Sequence, residues 1–128
     1  MKDFILYQNE KGYNNKKVYP FHNDKYLFQL ILTIVKNIDC FIETGSYLGK
    51  TIFFMGKNFK NIKCYSCEIN REYYNNAREI VNNLENISLE LKPSPQFLYD
   101  LDKNIFNKKT LFWLDAHFPG ADYGPAGY

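Results

Sequence analysis

No long apolar run occurs in this chain. Its most hydrophobic stretch, Leu27 to Val35, is broken by Gln29 and Thr33, which excludes a bilayer-spanning helix of about 20 residues. The opening M-K-D-F-I-L-Y-Q-N-E has too short an apolar core for a secretory signal. Cysteine is scarce, and an odd set of three makes a poor disulfide framework. These absences predict a cytoplasmic protein with no membrane partner. An excess of one charge is lacking too. Sixteen basic residues are interleaved with fourteen acidic ones, for a net charge of +2, so there is no basic stripe of the kind nucleic acid requires. Only two arginines occur among many Lys and Asn residues, a compositional bias without chemical content.

Aromatic residues are abundant instead, at 18% of the chain within 45% hydrophobic residues, which places it in the globular class. Its 128 residues fit one domain, residues 1–128, able to bury about two-thirds of its unfolded surface. Residues 1–23 read as an irregular N-terminal arm carrying Tyr7, Tyr13, Tyr19 and Phe21, and His22 within it carries no functional expectation. From Asp24 to about Ile38 the positions Leu27, Leu30, Ile31, Ile34, Val35 and Ile38 recur at helical spacing, with Asn23 or Asp24 as N-cap.

Strands and helices then alternate. The expected strands are Cys40 to Glu43, about Ile62 to Glu68, Ile87 to Leu91, and Leu111 to Leu114. Between them fall a helix from about Gly49 to Phe59, weakened inside by Gly56, and one capped by Asn70 that presents Tyr73, Tyr74, Ala77, Ile80, Val81 and Leu84. A third opens at Ser94-Pro95 and presents Phe97, Leu98, Leu101 and Ile105. Four alternations predict an α/β fold with a parallel, right-handed sheet and helices on both faces. Cys64 and Cys67 spell C-x-x-C but lie on a strand, where i and i+3 face opposite sides. They are expected to be buried thiols and not a metal or redox pair.

The segment C-F-I-E-T-G-S-Y-L-G-K-T, Cys40 to Thr51, joins a buried strand to a helix through a glycine turn. Gly45 can take a positive φ and leaves room for a ligand against the backbone, and the N–H groups that open the next helix face the same crevice. Glu43 and Glu68 end neighbouring strands. Glu68 lies nineteen residues beyond Gly49, near the spacing at which a doubly wound nucleotide-binding fold sets a carboxylate on both ribose hydroxyls. The motif by itself is equally compatible with a plain strand-to-helix turn.

With these motifs in place, the sequence resembles the class I methyltransferases that use S-adenosylmethionine. The resemblance spans about residues 41–120 and rests on E-T-G-S-Y-L-G-K-T, Y-S-C-E-I-N, P-S-P-Q-F-L and F-W-L-D-A-H-F-P-G, most like the subgroup with E-T-G-T-Y-x-G and W-L-D-A-H. It implies a Rossmann-like sheet of order 3-2-1-4. It also implies that Glu43, Gly45, Ser46, Tyr47 and Gly49 line the methionine and ribose side of the cofactor, that Glu68 holds the ribose diol, and that Asp115 faces the methionine end or the acceptor beside His117. Tyr47 stands where the common pattern has a third glycine. Lys92, Pro93 and Ser94 stand where relatives carry Gly-Asp-Ser near the adenine, so the acidic adenine contact is missing. The family's sheet normally has seven strands, whereas this sequence ends just past the fourth. Either another chain, for instance a second copy, covers that truncated edge, or the sequence is a fragment.

Methyl transfer to oxygen needs an in-line acceptor and a group to take its proton. His117 is the expected base, with Asp115 beside it. The same pair, at i and i+2 of an extended segment, offers two ligands to a divalent ion with Asp122 as a third, and a structural role for both is the remaining alternative. The expected activity is transfer from S-adenosylmethionine to a small-molecule acceptor such as a sugar. The alternatives are a non-catalytic cofactor-binding module needing a partner chain and, more distantly, a nicotinamide-dependent oxidoreductase, for which the tight G-x-G-x-x-G run is absent.

Overall fold

The computed structural model describes residues 20–116. A 3-10 turn at Pro20–Asn23 leads into helix α1 (Lys25–Ile34) and a second 3-10 turn at Val35–Asn37. There follow β1 (Cys40–Thr44), α2 (Lys50–Asn58), β2 (Lys63–Glu68), α3 (Arg71–Val81), β3 (Ile87–Leu91), α4 (Ser94–Asp100), a 3-10 turn at Lys103–Asn107, and β4 (Thr110–Leu114). All strand pairings are parallel and the order is β3-β2-β1-β4. This is the predicted sheet. Strand β1 is central and all five of its residues are buried, which is why its sequence carries no exposed polar alternation.

Side-chain alternation along the strands divides the interior in two. On one face Phe41 and Cys64 pack with Phe28, Ile31 and Val35 from the first helical stretch, with Ile52, Phe54 and Met55 of α2, and with Val81 of α3. On the other, Ile42 and Cys67 pack with Phe97, Leu101 and Ile105. Cys64 and Cys67 therefore lie on opposite sides of the sheet, as expected. Burial pushes the Cys64 thiol up to about 12 and raises that of Cys67, so neither is a reactive thiolate.

Three local readings are corrected. Helix α4 begins at Ser94 with Pro93 as its N-cap, and Ser94 makes no capping bond. The extended ψ of Pro93 starts the helix one residue early, and the Ser94 hydroxyl accepts instead from the Cys67 thiol at 3.9 Å. Leu30 is more than half exposed, and the buried stripe of α1 runs through Phe28 and Ile31. Gly56 is more than a helix weakness, because a Cβ there would lie 2.3 Å from Ile87 Cδ1. The missing side chain lets α2 press onto β3. Asp24 is the N-cap of α1, accepting from the Tyr26 and Leu27 N–H groups. Among the described residues no helix is long and apolar enough to cross a membrane.

Candidate functional site

The turn between β1 and α2 holds three left-handed residues, Gly45 (φ 80°), Tyr47 (φ 49°) and Gly49 (φ 78°). Each glycine has a packing reason as well as a conformational one. A Cβ on Gly45 would sit 2.8 Å from Ala116 Cα and 3.0 Å from the Asp115 carbonyl, so the backbone leaving β4 occupies the space that the sequence reading assigned to a ligand. A Cβ on Gly49 would meet Ala77 at 2.9 Å, which brings α2 against α3. Tyr47, at the third-glycine position of the related pattern, adopts the same backbone region at a cost of about 1 kcal/mol. Its ring meets Tyr73 edge-on at 4.6 Å.

Hydrogen bonds from β2 tie the turn down. The Cys67 carbonyl accepts from Gly45 N at 3.0 Å and Ser46 N at 2.9 Å. The Glu68 carboxylate accepts from Tyr47 N at 2.8 Å through Oε2 and from Asn70 N at 2.9 Å through Oε1. One carboxylate thus fixes both the glycine turn and the start of α3.

Glu43 is only 2% exposed. The Ser66 hydroxyl donates to its Oε2 at 2.5 Å, and Ser46 Oγ lies 2.6 Å from Ser66 Oγ. The Ser46 hydroxyl also donates to the Cys67 carbonyl at 3.0 Å, so Glu43, Ser66 and Ser46 form one buried hydrogen-bonded chain that ends on the β2 backbone. Burial raises the Glu43 carboxyl to about 8, against a partial lowering by Ser66 and further raising by Asp115 and Glu68. Near neutral pH it is a largely protonated acid.

Beside Glu43, at the carboxyl ends of β1 and β4, lies a pocket of about 60 Å³ lined by His22, Glu43, Gly45, Ser46, Tyr47, Leu48, Lys50, Thr51 and Asp115. This is the topological switch point of the 3-2-1-4 order, the crevice in which open α/β sheets bind ligands. His22 arrives from the start of the described chain. Its Nε2 is 2.8 Å from Asp115 Oδ2, and its ring is 6.0 Å from that of Trp113. Phe21 and His22 are both left-handed, with φ of 50° and 57°. Phe21 supports that conformation: its N–H donates to Thr51 Oγ1 at 3.0 Å, and its fully buried ring meets Phe28, Phe41, Phe54 and Trp113 edge-on.

Of the residues singled out from sequence, Glu43, Gly45, Ser46, Tyr47 and Asp115 share this pocket. Gly49 and Glu68 flank it as supports of the turn, and Ser94 stands apart beside Cys67. His117 and Asp122 lie outside the described residues. Among the described residues no cluster of three or more His, Cys, Asp or Glu side chains could hold a metal ion, and the Asp115 carboxylate is engaged by His22. Sequence reasoning did not place His22, Leu48, Lys50 or Thr51 at this pocket. For His22 the only local signal was the P-F-H-N segment before the cap of α1, and nothing in that segment says that it folds against β4.

No family model matches this chain, and no curated protein matches it. Solved structures do. The fibrillarin/Nop5p complex is similar at a TM-score of 0.52 and 16% identity, over 72% of this chain and 46% of that one. Precorrin 8w decarboxylase from Methanobacterium thermoautotrophicum is similar at a TM-score of 0.51 and 12% identity, over 77% of this chain and 66% of that one. Coclaurine N-methyltransferase, solved with N-methylheliamine and SAH, matches at a TM-score of 0.49 and 15% identity, over 72% of this chain and 31% of that one. The chain spans less than two thirds of the length of these structures. At such identities the first two likenesses establish the fold, a Rossmann-like α/β sheet, and nothing finer.

Proposed function

We propose that this chain forms the cofactor-binding part of an S-adenosylmethionine-dependent methyltransferase that acts on an oxygen of a small acceptor such as a sugar. The observation that carries this reading is the pair of buried carboxylates, Glu43 and Glu68, ending adjacent parallel strands on either side of the left-handed Gly45 to Gly49 turn. The residues present fit such a cofactor. Each Glu68 oxygen accepts one N–H and retains a second lone pair for a ribose hydroxyl, while a carboxylate at that place disfavours a 2′-phosphate. Glu43 lines the pocket, and a cationic ammonium or sulfonium bound beside it would draw it toward its ionised form. The bound cofactor would supply a methyl group on a sulfonium. The chain's own part is to orient it through Glu68 and the turn, and to present the His22–Asp115 end of the pocket to the acceptor.

Thermal unfolding of the full chain with S-adenosylhomocysteine, and separately with NAD, tests this reading. A ligand at a hundred times its dissociation constant adds about 2.7 kcal/mol, a rise of several degrees in a domain this size. The expected result is a rise with the homocysteine compound, lost in Glu68→Ala. A rise with NAD alone would replace the reading with an oxidoreductase.

The exposed face of β4 favours a second reading, a binding module completed by another chain. Leu114 is 64% exposed, and Phe112 and Phe106 stack on one another at the surface. Concentration-dependent dimerisation in sedimentation experiments, abolished by Leu114→Lys, is the outcome that this reading requires.

A further inference from the structure

We propose that Glu43 is a proton-exchange group on the pocket wall: it holds a hydrogen while no cation is present and releases it to solvent when a cationic ligand binds, a coupling that rests on the methyltransferase reading above. The buried chain of hydroxyls beside the pocket carries this inference. Its oxygens run from Glu43 Oε2 to Ser66 Oγ at 2.5 Å, on to Ser46 Oγ at 2.6 Å, and end at the Cys67 carbonyl at 3.0 Å. A carbonyl only accepts, and each serine hydroxyl has one hydrogen to donate. Three contacts therefore need three hydrogens, and the serines supply two. With Glu43 ionised, Ser66 donates to it and Ser46 donates to the carbonyl, which leaves the two serine oxygens 2.6 Å apart with no hydrogen between them. A proton on Glu43 completes the chain, which then runs from the acid to Ser66, from Ser66 to Ser46, and from Ser46 to the carbonyl.

The surroundings make that proton exchangeable. Glu43 and Ser46 both line the pocket, and among the described residues Ser66 is the only side chain bonded to Glu43. The titratable groups around it are Cys64 and Glu68 on β2, Asp115 just past β4, His22 in the opening turn and Lys50 at the start of α2. Asp115 and Glu68 disfavour a charge on Glu43, and neither His22 nor Lys50 is bonded to it. Ionised Glu43 is thus a buried charge without a bonded cation, which is costly. A bound ammonium or sulfonium supplies the missing opposite charge.

When such a ligand binds, the Glu43 O–H bond breaks, its electron pair stays on the carboxylate and its proton passes to solvent. Ser66 then turns its hydrogen to the carboxylate, and Ser46 turns its own to Ser66. The Cys67 carbonyl keeps the Gly45 and Ser46 N–H groups, so the glycine turn stays in place while the hydroxyls reverse. Because the bound form carries one proton fewer, affinity for a cationic ligand rises with pH, by at most about tenfold per pH unit. It levels off above about 8, where the free protein has lost the proton as well.

Titration calorimetry of the full chain with S-adenosylhomocysteine, whose amino group supplies the cation, counts the protons released when it is run in buffers of different ionisation enthalpy. Near neutral pH the wild type should release about one proton per ligand. Glu43→Gln should release none, since its carboxamide takes the place of the neutral acid and cannot ionise. Carbon-13 NMR of the glutamate carboxyls follows the same proton in the wild type, with the Glu43 signal assigned by its absence from Glu43→Gln. That carboxyl should be neutral in the free protein and ionised when the ligand saturates it, and this signal decides alone if Glu43→Gln does not bind. A wild type that binds the ligand without releasing a proton, equal release by wild type and Glu43→Gln, or a Glu43 carboxyl already ionised near neutral pH without ligand overturns the coupling. Absence of binding by the wild type overturns the methyltransferase reading itself.

Discussion

Two carboxylates lie at the carboxyl ends of neighbouring strands, both buried and both within a tight glycine-turn region. Glu68, on β2, accepts backbone N–H bonds on each oxygen, from Tyr47 and Asn70. Glu43, on β1, has the Ser66 hydroxyl on Oε2 and is raised to about 8. The difference is one of donors. Oriented amides from two turns meet the Glu68 carboxylate with fixed dipoles, whereas the interior strand offers Glu43 a hydroxyl and two like-charged neighbours. The first glutamate holds the turn together, and the second is a proton-carrying group on the pocket wall.

The largest test of this contrast is pH. The folded chain binds a proton at Glu43 that the unfolded chain has lost between the ordinary value of 4.5 and about 8. The resulting stabilisation is complete below the lower value and disappears as pH rises through the upper one. Glu43→Gln cannot ionise, so its stability relative to the wild type should climb from about pH 5 to about pH 9, by on the order of 4 kcal/mol. Urea midpoints at a series of pH values measure this. Parallel curves for the two proteins would mean that Glu43 is charged in the fold, and the contrast would vanish.

Glu68→Ala comes next in size. It leaves the Tyr47 and Asn70 N–H groups without their acceptor, at about 3 kcal/mol for two bonds to a charged partner. Glu68→Gln, which keeps one acceptor oxygen, should lose about half of that. Equal losses in the two variants would show that charge, and not the paired acceptors, is what the turn requires.

The smallest effect is expected at Tyr47. Replacement by glycine relieves about 1 kcal/mol of left-handed strain but gives up a ring contact worth about the same and frees the unfolded chain. The net change should stay within about 1 kcal/mol. A larger loss would make the Tyr47–Tyr73 contact a principal support of the turn, on a par with Glu68.

Much of this was legible beforehand, for reasons that can be named. The strands are short apolar runs ended by carboxylates or turn residues, the helices have clear stripes, and Asp24 and Asn70 carry side chains that cap locally. Each is a signal contained within a few residues. Ser94 was misplaced by one position because the preceding proline competed for the cap. Gly45 and Gly56 were correctly marked as special but for incomplete reasons, since the atoms that exclude a Cβ belong to Ala116 and Ile87.

The sequence by itself determined the alternation of strand and helix, the parallel sheet and the placing of Glu43 and Glu68 at its carboxyl end, because these follow from periodicity, glycine conformation and right-handed crossover, while the 3-2-1-4 order was what the family resemblance implied. Only the tertiary structure decided that His22 meets Asp115, that the Gly45 Cβ space belongs to β4, and that Glu43 is an acid while Glu68 anchors a turn. Those outcomes depend on which distant atoms share a few ångströms of space and on how many donors each buried charge finds there, and neither quantity is written in any local stretch of the chain.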